Sequence, residues 1–181
     1  MASITPEQAH AVWTASPCLL PGTAIQEALD RMAAEMTRVL AGADPLVLVV
    51  MQGGVIPAGQ LLPRLDFPLR LDYVHATRYR EQTRGGELHW LKPPPPLAGE
   101  SVLILDDVLD EGLTLAEIVS ACYRQGAKQV YTAVVVEKHR PRPVPLVADF
   151  IGVRVEDKYL FGYGMDYKGY LRNANGIYAV D

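Results

Sequence analysis

The segment 102–118, VLILDDVLDEGLTLAEI, constrains both fold and function more than any other part of this chain. Its first four residues are apolar, and they lead directly into Asp106 and Asp107, with Asp110 and Glu111 close behind. Burying like charges together is costly unless a cation or hydrogen-bond donors meet them. We therefore expect a ligand at the point where this apolar strand ends.

Apolar runs alternate with helical patterns along most of the chain. Short apolar runs are typical of parallel strands buried on both faces, and they occupy residues 45–51, 101–106, 128–138 and 148–155, with a further alternating strand at 69–79. This order predicts an α/β fold with a largely parallel central sheet. Ligands of such sheets bind at the carboxyl ends of the strands. The segments after those ends are 52–54, 106–114 and 137–141.

Two capping boxes are predicted near the N-terminus. Thr5 with Gln8 favours one helix start, and Thr23 with Gln26 favours a second helix that runs to about Ala41. The polar, glycine-rich and then proline-rich segment 80–100 is not expected to form a core element.

Composition excludes several classes of protein. The 181 residues fit a single domain, and a formal net charge of -4 gives no broad attraction to nucleic acid or anionic membranes. The two cysteines are too few for a disulfide framework, which favours a reducing cytoplasmic location. The first residues do not resemble a signal peptide, and no apolar run is long enough to span a membrane.

The loop that follows the acids is suited to bind phosphate. Gly112 permits a positive φ, and Thr114 lies at a helix start, where backbone N–H groups and a hydroxyl favour an anion. Paired acids such as Asp106 and Asp107 accept hydrogen bonds from the vicinal hydroxyls of a ribose and suit a nearby magnesium ion. The alternative is that the acids only end a strand and Thr114 only caps a helix. The complete run, with a strand before it and a helix after it, favours the ligand.

The segment VLILDDVLDEGLTL resembles the phosphoribosyl-pyrophosphate motif of type I phosphoribosyltransferases. MQGGVIPAGQL is similar to the pyrophosphate loop of the hypoxanthine-guanine phosphoribosyltransferases, and VVEKHRP, DFIGVRVEDKYLFGYGMDYKGYLR and RYREQTRGGE follow that family's order. The resemblance covers roughly residues 46–178. It implies the type I phosphoribosyltransferase fold, in which helices flank a mostly parallel sheet and the chain ends form a small hood. A single domain, 1–181, would have its core at about 40–155, its hood at about 1–22 and 155–181, and a mobile lid at about 80–92.

The resemblance also implies an activity, namely purine salvage with Mg²⁺, in which hypoxanthine or guanine and phosphoribosyl pyrophosphate give IMP or GMP. Asp110 would be the catalytic acid or base near purine N7. The implied sugar and phosphate ligands are Asp106, Asp107, Asp110, Glu111, Gly112, Leu113 and Thr114. The purine would meet Lys138, Tyr159 and Leu160, the pyrophosphate Gln52, Gly53 and Arg172, and the metal Asp166, Asp106 and Asp107. Arg78 and Tyr79 would belong to the lid, and a cis peptide is expected at Met51–Gln52.

Three residues depart from the family pattern. Gln52 stands where a lysine is common in eukaryotic members, Glu111 where threonine or serine is usual, and Leu113 where lysine or arginine often occurs. The phosphate loop therefore has no cation of its own, and we expect the Glu111 carboxylate to point outward, away from a phosphate. Each loop function that uses backbone N–H groups survives these changes.

Two other functions remain open from the sequence. One is a phosphoribosyltransferase that prefers xanthine, and the other is a non-catalytic regulator on the same fold that binds nucleotides. A regulator that binds RNA needs a basic face, and KHRPRP at 138–143 is the only basic cluster. The expected partners are phosphoribosyl pyrophosphate and 6-oxopurine bases, without nucleic acid or membrane, and the family resemblance implies a homodimer or homotetramer.

Overall fold

The main sheet has six strands in the spatial order β4-β3-β2-β5-β6-β7. The computed structural model describes residues 4–78 and 88–180. In chain order the six strands are β2 (Leu46–Met51), β3 (Arg70–Arg78), β4 (Leu88–Lys92), β5 (Ser101–Leu109), β6 (Gln129–His139) and β7 (Phe150–Glu156). All neighbouring pairs are parallel except β3 and β4, which are antiparallel. The sequence-based prediction of a mostly parallel α/β sheet is therefore confirmed.

Helices cover both faces of this sheet. Helix α2 (Gly22–Leu40) and helix α3 (Val55–Leu61), which continues into a 3-10 turn at Leu62–Arg64, lie on one face. Helix α2 is amphipathic because its apolar side chains recur every three or four residues, and this row is fully buried: Ile25, Leu29, Met32, Met36 and Leu40. Helix α4 (Leu113–Arg124) buries Leu115 and Ile118 on the opposite face. The central strands β2, β5 and β6 are consequently buried on both sides, as continuous apolar strands require.

The chain ends form a second, smaller layer. Strands β1 (Cys18–Pro21), β8 (Tyr159–Phe161) and β9 (Gly176–Val180) pair as an antiparallel sheet in the order β1-β9-β8. Helix α1 (Pro6–Ala15) packs against it, and the rings of Phe161 and Tyr178 stack with centroids 5.2 Å apart. This layer is the hood that the resemblance implied.

Of the local predictions, one capping box is confirmed, whereas the other capping box and the segment 88–92 need correction. The capping box of Thr5 and Gln8 is present. The box at Thr23 is wrong, because α2 begins at Gly22, two residues earlier than a Thr23 cap requires, with Pro21 as N-cap, and the Gln26 side chain donates to Tyr163 instead. The segment 88–92, which we expected in the lid, forms edge strand β4, because β3 offers it a free edge and Leu88 and Trp90 have apolar neighbours there.

Strand β5 also continues beyond the predicted residue 106. It runs to Leu109 because Val108 and Leu109 keep pairing with β6, so Asp106 and Asp107 lie inside the strand and not after it. Within the described residues, none of the helices has the length and apolar character needed to cross a membrane.

Candidate active site

Two adjacent carboxylates lie near the carboxyl end of the central strand β5. The backbone N–H of Asp107 donates to Asp106 Oδ1 at 2.9 Å, which ties the pair together. The surrounding protein desolvates the Asp106 carboxyl, and the Asp107 charge adds repulsion, so the pKa of Asp106 is raised well above its usual value. Burial raises the pKa of Asp107 as well, although the hydrogen bond with Asp106 and the Arg172 charge oppose the increase. The pair therefore favours a cation or hydroxyl donors in front of it.

Two glycines press against Asp107 from neighbouring segments. A Cβ atom at Gly53, in the loop after β2, would lie 2.7 Å from Asp107 Oδ1, with Oδ2 and Cγ closer still. Gly164, in the hood, has a φ of 108° and would place a Cβ 3.0 Å from Asp107 Cβ. These positions admit no side chain, so the loop 52–54 and the hood can both approach the acid. The peptide bond between Met51 and Gln52 is cis, as expected.

Arg172 connects the hood to the same acid. Its Nη1 donates to the Gly164 carbonyl at 2.6 Å, and its Nη2 lies 2.7 Å from Asp166 Oδ1. The distance from Nη1 to Asp107 Oδ2 is 3.9 Å. The other oxygen of Asp166 accepts the backbone N–H of Gly169. Arg172 thus places a guanidinium fork, a group suited to phosphate oxygens, close to Asp107.

Magnesium prefers oxygen ligands and usually binds through one or two carboxylates together with substrate phosphates and water. The Asp106–Asp107 pair fits this ion, because the burial of its charge is only partly offset by Arg172. Asp166 is already paired with Arg172. Among residues 4–78 and 88–180, no three acidic, histidine or cysteine side chains converge to hold a metal by themselves. A magnesium ion here would need the oxygens of a substrate to complete its coordination.

The second part of the site joins the ends of β5 and β6. Their register pairs Leu109 with Glu137, so the next residues, Asp110 and Lys138, lie side by side. Lys138 Nζ donates to Asp110 Oδ2 at 2.7 Å. Partial burial opposes ionisation of Asp110, but the hydrogen bonds and charges of Lys138 and Arg140 outweigh it and hold the pKa of Asp110 below its usual value. Asp110 is therefore an ionised carboxylate, able to accept a proton.

The loop 110–114 turns from β5 into α4 through the positive φ that its glycine predicted. Gly112 adopts a φ of 79° and is the N-cap of α4, whose first turn contains no acidic residue. Thr114 lies within that first turn, so it is not the N-cap residue. The Glu111 side chain is more than half exposed, and its Oε1 lies 3.7 Å from Arg140 Nη2. Its carboxylate is thus turned toward solvent and a cation.

The structure brings together several residues that the sequence did not single out. Arg140 Nη1 donates to Asp110 Oδ1 at 2.7 Å, and Asp157 lies 3.5 Å from Arg140 and 3.8 Å from Lys138. Arg142 donates to the backbone carbonyls of Asp110 and Lys138. The signals were the basic cluster 138–143 and the position of Asp157 just after β7, but their partners are distant in sequence.

The remaining predicted residues lie at the hood and the lid. Tyr159 begins β8 two residues after Asp157, and its half-exposed ring makes an edge contact with Tyr167, while Leu160 is buried. Arg78 ends β3. Tyr79 and residues 80–87 of the predicted lid lie outside the described part of the chain.

The chain is similar to known proteins in sequence and in fold. Residues 19–168 match the family described as "Phosphoribosyl transferase domain", which is most of the chain. The chain belongs to the phosphoribosyltransferase family. It is 30% identical over 151 residues to the hypoxanthine-guanine phosphoribosyltransferase of Bacillus subtilis, covering 82% of this chain and 84% of that protein.

Two further members of the family extend the comparison. A crystal structure of a hypoxanthine-guanine phosphoribosyltransferase from Bacillus anthracis superimposes with a TM-score of 0.85 at 26% identity, over 91% of this chain and 98% of that one. The bifunctional protein TilS/HprT of Listeria innocua is 32% identical over 82% of this chain. The chain spans only 23% of the length of that bifunctional relative. These matches agree with the type I phosphoribosyltransferase fold.

Proposed function

We propose that this protein transfers the 5-phosphoribosyl group of phosphoribosyl pyrophosphate to hypoxanthine or guanine, giving IMP or GMP and pyrophosphate. The contact between Lys138 and Asp110 carries this proposal, because it places an ammonium donor beside an ionised carboxylate at the end of the phosphoribosyl-pyrophosphate motif. The names of the relatives support the same reaction class, purine salvage.

The sugar phosphate lies across β5 in this proposal. Asp106 and Asp107 accept hydrogen bonds from the ribose hydroxyls, and the backbone of 111–114 with the Thr114 hydroxyl binds the 5-phosphate. Gln52, Gly53 and Arg172 bind the pyrophosphate. Magnesium, held by Asp106 and Asp107 together with substrate oxygens, would neutralise the charge of the departing pyrophosphate. Asp166 would be a further acid linked to magnesium, and its contact with Arg172 connects it to the pyrophosphate side of the site.

The purine occupies the space next to Asp110 and Lys138. Purine N9 forms a bond to C1 of the ribose as the bond from C1 to pyrophosphate breaks, and Asp110 accepts the proton at N7. Its negative charge also favours the positive charge that develops on the sugar. Lys138 donates to the 6-oxo group, which an adenine amino group does not match. Tyr159 stacks on the base and the Leu160 backbone borders it.

The basic cluster 138–143 argues against a regulator that binds RNA. Its three cations are each paired with acids: Lys138 and Arg140 with Asp110, and Arg142 with Glu137. A positive face for phosphate backbones needs cations that are not already neutralised.

Assembly and location belong to the same proposal. Exposed apolar side chains at one end of the main sheet, Leu71 and Tyr73 on β3 and Leu91 on the edge strand β4, support a homodimer or homotetramer. Cys18 and Cys122 are both free thiols, which supports a reducing cytoplasmic location.

The test is a spectrophotometric assay with phosphoribosyl pyrophosphate, Mg²⁺ and hypoxanthine, guanine, xanthine or adenine in turn. We expect nucleotide formation from hypoxanthine and guanine, and a loss of at least about 100-fold in Asp110→Asn, the lower end of the range for losing one general base. Preference for xanthine, which also carries a 6-oxo group, would replace the assignment of hypoxanthine and guanine as the substrates. Binding of nucleotide without turnover of any base would refute the enzyme and favour a regulator.

A further inference from the structure

Both carboxylate oxygens of Asp110 are occupied by cations. Lys138 Nζ binds Oδ2 and Arg140 Nη1 binds Oδ1, each at 2.7 Å. In the proposed reaction Lys138 has a second task, because it must also donate to the 6-oxo group of the purine. A single lysine would divide its donors between the base and the carboxylate, whereas a second cation holds the carboxylate independently.

Arg140 is placed to be that second cation. Lys138 lies inside strand β6 and its side chain is 11% exposed, whereas Arg140 follows the end of β6 and is 29% exposed. Arg140 is held from three sides, by Asp110, by Asp157 at 3.5 Å and by Glu111 at 3.7 Å. Its Nε is buried without a hydrogen-bond partner among the described residues. The guanidinium is therefore fixed through its two Nη atoms alone.

We propose that Arg140 is a positioning residue of this enzyme, which keeps the Asp110 carboxylate in one orientation while Lys138 turns to the purine. This inference rests on the proposed function for the role of Asp110. It also gives a purpose to Glu111, whose carboxylate helps to hold Arg140 beside the loop. The residue acts through Asp110 and does not touch the reacting atoms itself.

The charges around Asp110 determine what the loss of Arg140 would change. Lys138 and Arg140 face the carboxylate from β6 and the segment after it, Asp157 and Glu111 face those two cations, and Arg142 binds the Asp110 carbonyl. Arg140 helps to lower the pKa of Asp110. Its removal leaves Lys138 alone against the effect of burial, so Asp110 would bind a proton at higher pH than in the unaltered protein.

The experiment compares Arg140→Gln and Arg140→Lys with Arg38→Gln, which alters a highly exposed arginine on α2. For Arg140→Gln we expect the acid limb of the pH profile of kcat/KM to move to higher pH, and kcat to fall about tenfold, as for loss of one hydrogen bond to a charged group. Arg140→Lys restores the position of the limb, and Arg38→Gln leaves the whole profile unchanged. A profile of Arg140→Gln that superimposes on that of the unaltered protein overturns the proposal.

A double substitution separates action through Asp110 from an independent effect. In an Asp110→Asn background, Arg140→Gln should change kcat by less than about twofold, and a further tenfold loss would refute the proposal. Carbon-13 NMR titration of the Asp110 carboxyl covers the case in which the unaltered protein turns over no base. Absence of turnover would refute the proposed function. A titration curve of Asp110 that is unaffected by Arg140→Gln would separately refute the interaction between Arg140 and Asp110.

Discussion

Because Gly53 lies so close to Asp107, we expect that adding a single methyl group at Gly53 disturbs the site. In Gly53→Ala the new Cβ would lie 2.7 Å or less from all three atoms of the Asp107 carboxyl group, well inside the 3.0 Å limit for real contacts. Asp107 cannot retreat, because Gly164 packs behind its Cβ and the side chain is almost fully buried. Either the carboxylate or the loop 52–54 must move.

The magnitude follows from comparison with Gly59→Ala, which adds the same methyl group to α3. A Cβ at Gly59 meets nothing within 4 Å. Alanine is favoured over glycine in a helix, so Gly59→Ala should stabilise the protein by roughly 0.5–1 kcal/mol. Overpacking at Gly53 should destabilise it by about 1–3 kcal/mol. For a chain of this size each kcal/mol corresponds to roughly 2–4 °C in Tm.

The assay measures chemical denaturation and steady-state kinetics of both variants. Because Asp107 would bind the ribose and magnesium, displacing it by about 1 Å should lower kcat/KM for phosphoribosyl pyrophosphate about 100-fold. Gly59→Ala should retain the kinetics of the unaltered protein. If Gly53→Ala is as stable and as active as Gly59→Ala, the close packing of Gly53 on Asp107 is refuted.

Three further predictions concern charge and thiol chemistry. Burial raises the pKa of Asp106, so the folded state binds a proton at this carboxyl more tightly than the unfolded chain does, and the contribution of Asp106 to stability falls as pH rises above about 4. In Asp106→Asn, urea denaturation at pH 7 should show a free energy of unfolding at least about 1 kcal/mol higher, with a weaker dependence on pH. A loss of stability in this variant would contradict the prediction. Arg172→Lys cannot bind both Asp166 and the Gly164 carbonyl, so the KM for phosphoribosyl pyrophosphate should rise about tenfold, and an unchanged KM would contradict the placement of the guanidinium. Burial raises the pKa of Cys122 to about 11. A disulfide reagent at pH 8 should therefore modify Cys18 alone in the folded protein, and both thiols after denaturation. Equal modification rates of the two thiols in the folded protein would be inconsistent with the burial of Cys122.

Local patterns predicted a large part of the fold. The alternation of apolar runs and helical patterns identified the parallel sheet, and the N-cap at Thr5 followed from side-chain chemistry three residues apart. The positive φ of Gly112 was likewise expected from the loop sequence. Strand β4 was missed because a polar segment becomes a strand only when a free edge is available to pair with it.

Local patterns identified the acids of the candidate site but not their neighbours. The Asp106–Asp107 pair and Asp110 stood out because carboxylates rarely follow a buried strand without a partner. The contacts of Arg140 with Asp110 and of Gly164 with Asp107 join residues that are 30 and 57 positions apart. Secondary-structure propensities and apolar periodicity act over a few residues, so they do not predict contacts between residues this far apart in the sequence.

The sequence by itself therefore determined the parallel strands of the main sheet and the helices between them, and which strand carries the acids, because backbone preferences and apolar periodicity act over a few residues. The tertiary structure decided what the acids face. Strand order brings the end of β6 beside the end of β5, and the register of Leu109 with Glu137 sets Lys138 next to Asp110. The hood then brings Arg172 and Gly164 to Asp107. These partners depend on burial of the whole sheet, which no single segment accomplishes alone.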